Sequence, residues 1–312
     1  MENLNEKVSV IITTYKRSIH LKRAIESVLN QNYSNIELIV VDDNNSGTEY
    51  RRNVENIMSE YKLGENFKYI KHKENLNGAA ARNSGIKNSS GKYIAFLDDD
   101  DVFSKNRIRS LVNELEKETN KEFGAIYSNV EIVYDSYSEY LNKIFMCNDG
   151  NMKKELLLEN FGIGTGSNLF IRRNIVDKLN GFDERFKRHQ DWEFLIRFFR
   201  ISKIKYYDEI LVKKYMDSRI NFPNSTILEE VKELYLSEFE KDIKDFDVYT
   251  QKEIIRIHIV ELINSCLNDN KVLKSFKLKN KYNLSFNLKE YNNFIHIAIK
   301  GFVKKFIKGI KK

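Results

Sequence analysis

The chain has 312 residues, of which 41% are hydrophobic and 31% charged, a composition typical of a globular protein and not of a disordered one. The net charge of +7 leaves three anionic partners open: nucleic acid, a membrane surface or a phosphorylated small molecule. The two cysteines, Cys147 and Cys266, exclude a disulfide framework and a cysteine zinc site, and favour a reducing compartment. Because neither a basic, apolar leader nor a run of about 18 apolar residues is present, we expect a cytoplasmic protein without a spanning helix.

The first hundred residues alternate between apolar strands and helices. Residues 8–13 (VSVIIT) and 36–41 (IELIVV) are short β-branched runs of the kind that form buried parallel strands. Two further strands are predicted at residues 67–72 and 93–97 (YIAFL). Helices are predicted between them at residues 20–31, 49–61 and 78–90. This β-α-β-α order predicts an open, mostly parallel α/β sheet.

The rest of the chain does not continue this regular alternation of strands and helices. Residues 110–119 predict a helix, and residues 124–135 predict a longer and more exposed strand. Residues 162–202 predict a glycine-rich loop, a strand, a helix, a second loop and a second helix. The single proline, Pro223, indicates a boundary. Two amphipathic helices are predicted after it, at residues 227–243 and 252–268.

The last segment, residues 292–312, has the pattern of a basic amphipathic helix. Its apolar residues share one face, and its lysines lie mainly on another. The apolar residues are Ile295, Ile299, Phe302, Val303, Phe306 and Ile310. The pattern favours peripheral contact with a membrane surface. The alternative is a helix that packs on the protein's own core and turns its lysines to water.

Polar residues follow each of the four predicted strands. The sequence TTYKR follows the first, Asp42 and Asp43 the second, and ENLNGAAARN the third. Four aspartates, residues 98–101, follow the fourth. Because ligands of open α/β sheets bind outside the carboxyl ends of the strands, the four polar ends indicate one shared site.

The residue types at these ends suit a phosphorylated ligand. An aromatic ring can stack on a nucleobase and a carboxylate can accept from a base N–H, which suits Tyr15 and Asp43. Arg17 suits phosphate, and the loop at Asn77 opens a helix whose free N–H groups favour an anion. The aspartates supply the hard oxygen ligands that Mg²⁺ or Mn²⁺ prefers. Alternatively, Tyr15 only packs against the protein.

Five motifs in register resemble a known family. They are VSVIITTYKR, IELIVVDDNNSGT, NLNGAAARNSGI, YIAFLDDDD and, downstream, GFDERF with HQDWEFLIR. Together they resemble the family 2 glycosyltransferases of the GT-A fold over residues 6–215. The resemblance implies a Rossmann-like α/β domain at residues 1–215. A helical region at residues 216–290 and the tail helix at residues 291–312 would follow it.

The resemblance also implies roles for the residues at the first three strand ends. Thr13, Tyr15 and Arg17 would line the nucleotide pocket, and Asp43 would read the base, usually uracil. Asn77 would belong to the same nucleotide-sugar site. The family often has proline at the position of Thr13 and asparagine at that of Lys16, and neither departure removes an essential group.

The resemblance also implies different roles for the aspartates. Asp98 and Asp100 would form the DXD motif, with Asp98 on the ribose or sugar side and Asp100 on the metal, Mn²⁺ or Mg²⁺. Asp99 would share either job. Asp101 alternatively only caps the next helix. Asp191 would be the catalytic base.

The acceptor side follows from the downstream motifs. The loop with Gly166 and Ser167 would form the wall near the sugar and the acceptor. His189 is either an acceptor-side contact or a solvated loop residue, and Trp192 either stacks on a sugar or anchors its helix in the core. Gln190 stands where the family often has an acid.

The implied reaction is a single displacement. A hydroxyl group of a saccharide or lipid-linked saccharide attacks the anomeric carbon of a nucleotide-sugar while Asp191 takes its proton, so the configuration inverts. The implied enzyme is a metal-dependent hexosyltransferase of capsule-type surface polysaccharide biosynthesis. It would act at the inner face of the cell membrane, with a homo-oligomer left open.

Other functions fit the sequence less well. A phosphorylated receiver domain would carry its acid pair after the first strand, where this chain has TTYKR. A calcium loop alternates acids with a glycine and a closing glutamate, which DDDD lacks. Nucleic-acid binding is disfavoured because the positive charge concentrates in the tail. A catalytically inactive GT-A protein that binds nucleotide-sugars or serves in assembly is the alternative.

Overall fold

The computed structural model describes residues 5–118, 122–134, 137–216, 224–285 and 295. The predicted boundary at Pro223 lies outside these residues, as does the predicted tail helix apart from Ile295. Both stay predictions. The chain divides into two compact units, the first formed by residues 1–156 and 160–218 and the second by residues 157–159 and 219–312.

The first unit is built on a mixed sheet that has nine strands within the described residues. In chain order they are β1 Val8–Thr14, β2 Ile36–Asp42, β3 Phe67–Lys71, β4 Tyr93–Asp98, β5 Val102–Phe103, β6 Phe123–Val133, β7 Ser138–Tyr140, β8 Phe170–Arg172 and β9 Lys203–Tyr215. The order across the sheet is β3-β2-β1-β4-β8-β6-β9-β5, with β7 paired to β6. The four predicted strands are therefore neighbours, and the α/β class is confirmed.

Parallel pairing aligns the carboxyl ends of the first strands. β1 pairs in parallel with both β2 and β4, so that Thr14 lies beside Asp42 and Thr13 beside Asp98. β-branched and aromatic side chains fill these strands and are almost completely buried. β8 then runs antiparallel to both β4 and β6. The polar residues after β1, β2 and β4 consequently meet at one edge.

The described helices of the first unit connect these strands. They are α1 Ser18–Leu29, α2 Glu49–Met58, α3 Gly78–Lys87, α4 Arg107–Glu116, α5 Lys153–Leu157, α6 Arg173–Leu179 and α7 Gln190–Phe199. The three helices predicted among the first strands are confirmed. The predicted exposure of β6 is wrong, because most of its residues are buried between β8 and β9.

The second unit is helical in its described part. Its helices are α8 Ser225–Glu238, α9 Glu240–Lys244, α10 Val248–Asn268 and α11 Val272–Lys281. Leu228 of α8, Leu262 and Cys266 of α10, and Leu278 of α11 belong to one apolar core. Among the described residues, no helix combines the length and the apolar character that crossing a bilayer requires.

Candidate active site

A cavity of about 690 Å³ opens at the carboxyl ends of β1, β2 and β4, where the sequence predicts a ligand site. All seven residues predicted to bind the nucleotide-sugar line this cavity. They are Thr13, Tyr15, Arg17, Asp43, Asn77, Asp98 and Asp99. The fold therefore gathers side chains from four segments that are distant in sequence, and their individual roles stay predictions.

The turn after β1 presents Tyr15 at the rim of the cavity. Tyr15 keeps 37% of its surface exposed, and Lys16 Nζ lies 4.9 Å from the centre of its ring. Lys16 adopts a φ of 58°, and its N–H donates to Asn44 Oδ1 at 2.9 Å. This exposure argues against the alternative in which Tyr15 only packs against the protein.

Asp43 is 2% exposed, and four donors surround its carboxylate. Oδ1 accepts from the Leu76 N–H at 2.9 Å and lies 2.7 Å from His72 Nδ1. Oδ2 accepts from Asn75 Nδ2 at 2.6 Å and from the Asn77 N–H at 3.1 Å. A carboxylate has about four lone-pair sites, so these partners occupy it fully. Asp43 thus organises the loop of residues 75–77, and a base contact would have to replace one of these donors.

Asn77 caps α3 with its own side chain. Its Oδ1 accepts from the N–H groups of Ala79 at 2.8 Å and Ala80 at 3.2 Å. The expectation of free N–H groups at this helix start is therefore wrong for these two residues. Asn77 adopts a φ of 83° and still lines the cavity.

The turn of residues 98–101, here called the aspartate turn, holds four acids with different partners. Asp98 Oδ1 accepts from Arg82 Nη2 at 2.9 Å, and Asp100 forms an ion pair with Arg17. The side chains of Asp98 and Asp100 keep 34% and 15% of their surfaces exposed. Both acids of the predicted DXD motif thus reach solvent beside a guanidinium group.

Burial raises the pKa values of the remaining acids and of Asp100. It raises the pKa of Asp99 to about 8, although the Thr14 hydroxyl donates to Asp99 Oδ2 at 2.6 Å. Burial also raises the pKa of Asp100, where Arg17 opposes it, and of Asp101, where the charge of Asp98 adds to it. The nearby arginines therefore do not neutralise the aspartate turn fully.

This set of ligands fits a divalent cation such as Mg²⁺ or Mn²⁺. Asp98 and Asp100 offer carboxylate oxygens, which these hard ions prefer. The raised pKa of Asp100 shows that the aspartate turn would gain from further positive charge. Since Arg17 and Arg82 hold these oxygens, a bound metal would replace one or both guanidinium contacts.

Asp101 belongs to the wall of the site and does not begin a helix. The alternative that it caps the next helix is wrong, because α4 begins at Arg107. Asp101 Oδ2 accepts from Thr165 Oγ1 at 2.8 Å and from Ser167 Oγ at 2.6 Å. Ser167 Oγ in turn accepts from the Asp98 N–H at 2.9 Å. The wall predicted near the acceptor is thereby tied to the aspartate turn.

Arg107 supports this wall, and the sequence reasoning misses it. The side chain is fully buried, and burial lowers its pKa to about 9. Its Nη2 donates to the carbonyl oxygens of Ser167 at 3.3 Å and Asn168 at 2.9 Å, and its Nη1 donates to Ser128 Oγ at 3.0 Å. In sequence it is one basic residue in an amphipathic stretch, which carries no signal of this role.

Arg82 is a second residue that the sequence reasoning misses. It lines the cavity and bridges Asp98 Oδ1 and Gln190 Oε1, the latter at 2.7 Å. A Cβ atom at Gly166 would lie 3.2 Å from Arg82 Nη2, so the predicted acceptor-side glycine leaves room for the guanidinium. The available signal was a single arginine inside the small-residue helix GAAARN.

The predicted base lies at the start of α7. Asp191 is half-buried in the first turn, and no hydrogen bond or ion pair from the described part of the chain engages its carboxylate. The rings of His189 and Trp192 lie 4.9 Å apart. Gln190 lines the cavity, whereas Asp191, His189 and Trp192 are not among its lining residues.

Comparison with known proteins gives one consistent family. The model of glycosyl transferase family 2 matches residues 9–180. An uncharacterized glycosyltransferase of Rickettsia prowazekii is 33% identical over 87% of this chain and 83% of its own length. The amylovoran biosynthesis glycosyltransferase AmsB of Erwinia amylovora is 28% identical over 78% of this chain and 81% of its own length. Some relatives are longer, and the chain spans 34% of a Rickettsia felis glycosyltransferase.

Solved structures share the fold at low sequence identity. Staphylococcus aureus TarS 1–349 in complex with UDP-GlcNAc has a TM-score of 0.58 and 16% identity, over 93% of this chain and 79% of that chain. The mannosyltransferase PcManGT from Pyrobaculum calidifontis, in complex with GDP-Man and Mn²⁺, has a TM-score of 0.57 and 14% identity, over 97% and 88%. The predicted GT-A fold is confirmed. The chain belongs to glycosyltransferase family 2.

Proposed function

We propose that this glycosyltransferase moves a sugar, with inversion, from a UDP-sugar to a hydroxyl group of a saccharide or lipid-linked saccharide. The observation that carries the proposal is the cavity at the strand ends, which all seven predicted nucleotide-sugar residues line. TarS, which binds UDP-GlcNAc, supports a uridine donor. PcManGT binds GDP-Man, so a guanosine donor is the comparison that the donor screen must include.

The donor would lie across the strand ends. Tyr15 would stack on the base at the rim, where its ring is exposed, opposite the loop that Asp43 organises. Arg17 and Arg82 would bind the diphosphate, because both guanidinium groups line the cavity. Arg17 would exchange its present contact with Asp100 for a phosphate oxygen. Arg82 would keep its contact with Asp98, because a guanidinium group has further N–H donors for a phosphate oxygen.

A divalent cation, Mn²⁺ or Mg²⁺, would supply charge that stabilises the departing nucleoside diphosphate. Asp100 is the residue proposed to hold it, with Asp98 on the ribose or sugar side, and the partial exposure of both side chains supports this assignment. The complex of PcManGT with GDP-Man and Mn²⁺ supports the same type of ion. Thr165 and Ser167 would keep the aspartate turn in shape through Asp101.

Asp191 would accept the proton of the acceptor hydroxyl as its oxygen attacks the anomeric carbon. Attack from the face opposite the diphosphate inverts the anomeric centre in one step and needs no covalent glycosyl-enzyme. The half-buried and unengaged carboxylate within the described chain suits a base. Asp191 also directly follows Gln190, which lines the donor cavity.

The acceptor would be an intermediate of surface polysaccharide assembly. AmsB, an amylovoran biosynthesis glycosyltransferase, supports this substrate class. Gly166, Ser167, His189 and Trp192 are the residues proposed on the acceptor side. The tail of residues 291–312 would hold the enzyme at the inner face of the membrane, and deleting it should move the protein from the membrane to the soluble fraction.

A metal-dependent donor screen tests the proposal. Binding of UDP and GDP with Mn²⁺ would be measured by calorimetry, followed by hydrolysis of UDP-sugars and GDP-sugars with and without EDTA. We expect UDP to bind more tightly than GDP and donor turnover to stop with EDTA. Tighter binding of GDP would overturn the uridine assignment. Binding without turnover of any donor would favour the inactive, nucleotide-sugar-binding alternative.

The Asp191→Asn variant tests the base. We expect turnover to fall by about 10²–10⁴-fold, the range for loss of a general base. The dissociation constant of UDP with Mn²⁺ should stay within about threefold, because Asp191 does not line the donor cavity. Full activity in this variant, or loss of UDP binding, would show that the assigned role is wrong.

A further inference from the structure

The Arg82 side chain joins the aspartate turn to the first turn of α7. Its Nη2 donates to Asp98 Oδ1 at 2.9 Å, and its Nη1 donates to Gln190 Oε1 at 2.7 Å. The side chain is 14% exposed, and its guanidinium carbon lies 5.7 Å from the centre of the Phe182 ring. One rigid planar group therefore fixes the distance between two segments that are far apart in sequence.

Gln190 uses both ends of its amide. While Oε1 accepts from Arg82, Nε2 donates to the Lys187 carbonyl oxygen at 3.2 Å. The amide thus closes the loop of residues 187–190 onto the start of α7. A carboxylate at this position would keep the contact with Arg82 but could not donate to Lys187, and alanine would lose both contacts.

Two glycines leave the space for this pair. A Cβ atom at Gly78 would lie 3.0 Å from Gln190 Oε1 and 3.3 Å from Arg82 Nη1. A Cβ atom at Gly166 would lie 3.2 Å from Arg82 Nη2. All three distances are below ordinary van der Waals contact, so a larger residue at either position would press on the Arg82–Gln190 contact. Three segments therefore meet at this contact: the start of α3, the start of α7 and the turn at Gly166.

We infer that Gln190 is a positioning residue, which acts through Arg82 to hold the start of α7, and with it Asp191, against the aspartate turn. The inference rests on the proposed role of Asp191 as the base. A base must lie within hydrogen-bond reach of the acceptor hydroxyl, and a displacement of about 1 Å can cost about 10²-fold in rate. Gln190 would thus affect the position of α7 and would take no part in the chemical step itself.

Trp192 provides a direct readout that needs no substrate. It is the single tryptophan of the chain and lies two residues after Gln190. The full chain labelled with 5-fluorotryptophan would give one ¹⁹F resonance that reports on the start of α7. We expect Arg82→Met, a change on α3, to shift or broaden this resonance. Gly78→Ala should do so to a smaller extent.

Lys87→Met is the matched control, because it removes one positive charge from the exposed face of the same helix. Its ¹⁹F spectrum should coincide with that of the wild type. An Arg82→Met spectrum that also coincides with the wild type would overturn the inference, since the contact would then not hold α7. Thermal unfolding of each variant would confirm that the spectra are those of folded protein.

Kinetics on the donor identified by the screen separate positioning from binding. We expect Gln190→Ala to lower kcat by about 10–10²-fold. KM for the donor should also change, since Gln190 lines the donor cavity, but by a smaller factor. Gln190→Glu should restore most of kcat, because its carboxylate also accepts from Arg82. Wild-type kcat in Gln190→Ala, or equal loss in Gln190→Glu, would overturn the positioning role.

The Asp191→Asn variant keeps these outcomes apart from the proposed function. Full activity in Asp191→Asn would overturn the base assignment and the positioning role together. A slow Asp191→Asn variant beside a fully active Gln190→Ala variant would overturn the positioning role alone. Losses in both, with rescue by Gln190→Glu and a shifted resonance in Arg82→Met, would support both assignments.

Discussion

The amino end of β2 and the aspartate turn at the carboxyl end of β4 hold buried carboxylates in opposite ways. At the amino ends, Glu37 of β2 is completely buried, and its Oε1 accepts from Ser9 Oγ at 2.7 Å and from the Gly91 N–H at 3.0 Å. Burial alone would raise the pKa of Glu37. Hydrogen bonds from Ser9 and Ser90 and the charge of Lys7 outweigh burial and lower the pKa to about 2.

In the aspartate turn, at the carboxyl end of β4, the balance is reversed. Burial raises the pKa of Asp99 to about 8 and also raises that of Asp100, although Thr14 and Arg17 are close by. The fold thus satisfies the carboxylate of Glu37 and leaves the carboxylates of Asp99 and Asp100 short of positive charge. The lowered pKa of Glu37 is that of a carboxylate that stabilises the sheet. The raised pKa values of Asp99 and Asp100 suit carboxylates that bind a cationic or metal-bridged ligand.

A substitution in the aspartate turn should affect donor turnover much more than stability. Asp100→Asn should lower donor turnover by about 10²-fold or more, because it removes a proposed metal ligand. Its free energy of unfolding should stay within about 1 kcal/mol of the wild type, since the raised pKa shows that the folded state disfavours the charged form. Activity would be measured with saturating Mn²⁺, and stability by urea denaturation. A large loss of stability would contradict the distinction between the two ends.

The converse variant is Glu37→Gln. We expect a loss on the order of 2 kcal/mol in the free energy of unfolding, below the full value of the pKa shift because water screens the lysines. Turnover per folded molecule should be unchanged. The control is Glu55→Gln, which removes a 3.0 Å surface ion pair with Lys71 and should change stability by less than about 1 kcal/mol. Equal losses of unfolding free energy in both variants would show that the buried carboxylate of Glu37 contributes no more than a surface ion pair.

The sequence predicts the carboxyl end better than the amino end, for a physical reason. Thr13, Asp43 and Asp98 lie at or directly after the carboxyl ends of apolar strands, and parallel pairing must bring such residues to one edge. Glu37 lies inside a strand beside Ser9, and its other donors come from residues 90–91 after α3. No local pattern indicates that these three segments meet at one carboxylate.

The missed residues show a second limit of the sequence. Arg82 and Arg107 act through contacts with Gln190, Ser167 and Asn168, which are 60 or more positions away in the chain. A basic residue on a helix is usually a solvated one, so spacing alone gives it no role. Likewise, β9 carries many charged residues, and its pairing with both β6 and β5 makes it an interior strand of the sheet.

The stability that Glu37 contributes should depend on pH. The pKa of Glu37 is lower in the folded state than the ordinary 4.5, so its contribution is fully present above about pH 4.5. That contribution is lost as the pH falls toward 2. The difference in unfolding free energy between wild type and Glu37→Gln should therefore shrink as the pH falls from 5 to about 2.5. Urea denaturation at several pH values would measure it, and a difference that is constant with pH would mean that the pKa is not lowered.

The lysines around Glu37 should contribute little to the free energy of unfolding. Lys68 Nζ lies 3.5 Å from Glu37 Oε2, and the Lys68 side chain is 37% exposed. Water screens such a contact, so Lys68→Met should cost less than about 1 kcal/mol and should leave most of the pH-dependent difference in place. The neutral donors Ser9 and Ser90 would then carry the effect, and Ser9→Ala should cost more than Lys68→Met because it removes one of the hydrogen bonds of a buried carboxylate. The reverse ranking in urea denaturation would assign the stabilisation of Glu37 to charge, and the amino end would then resemble the carboxyl end.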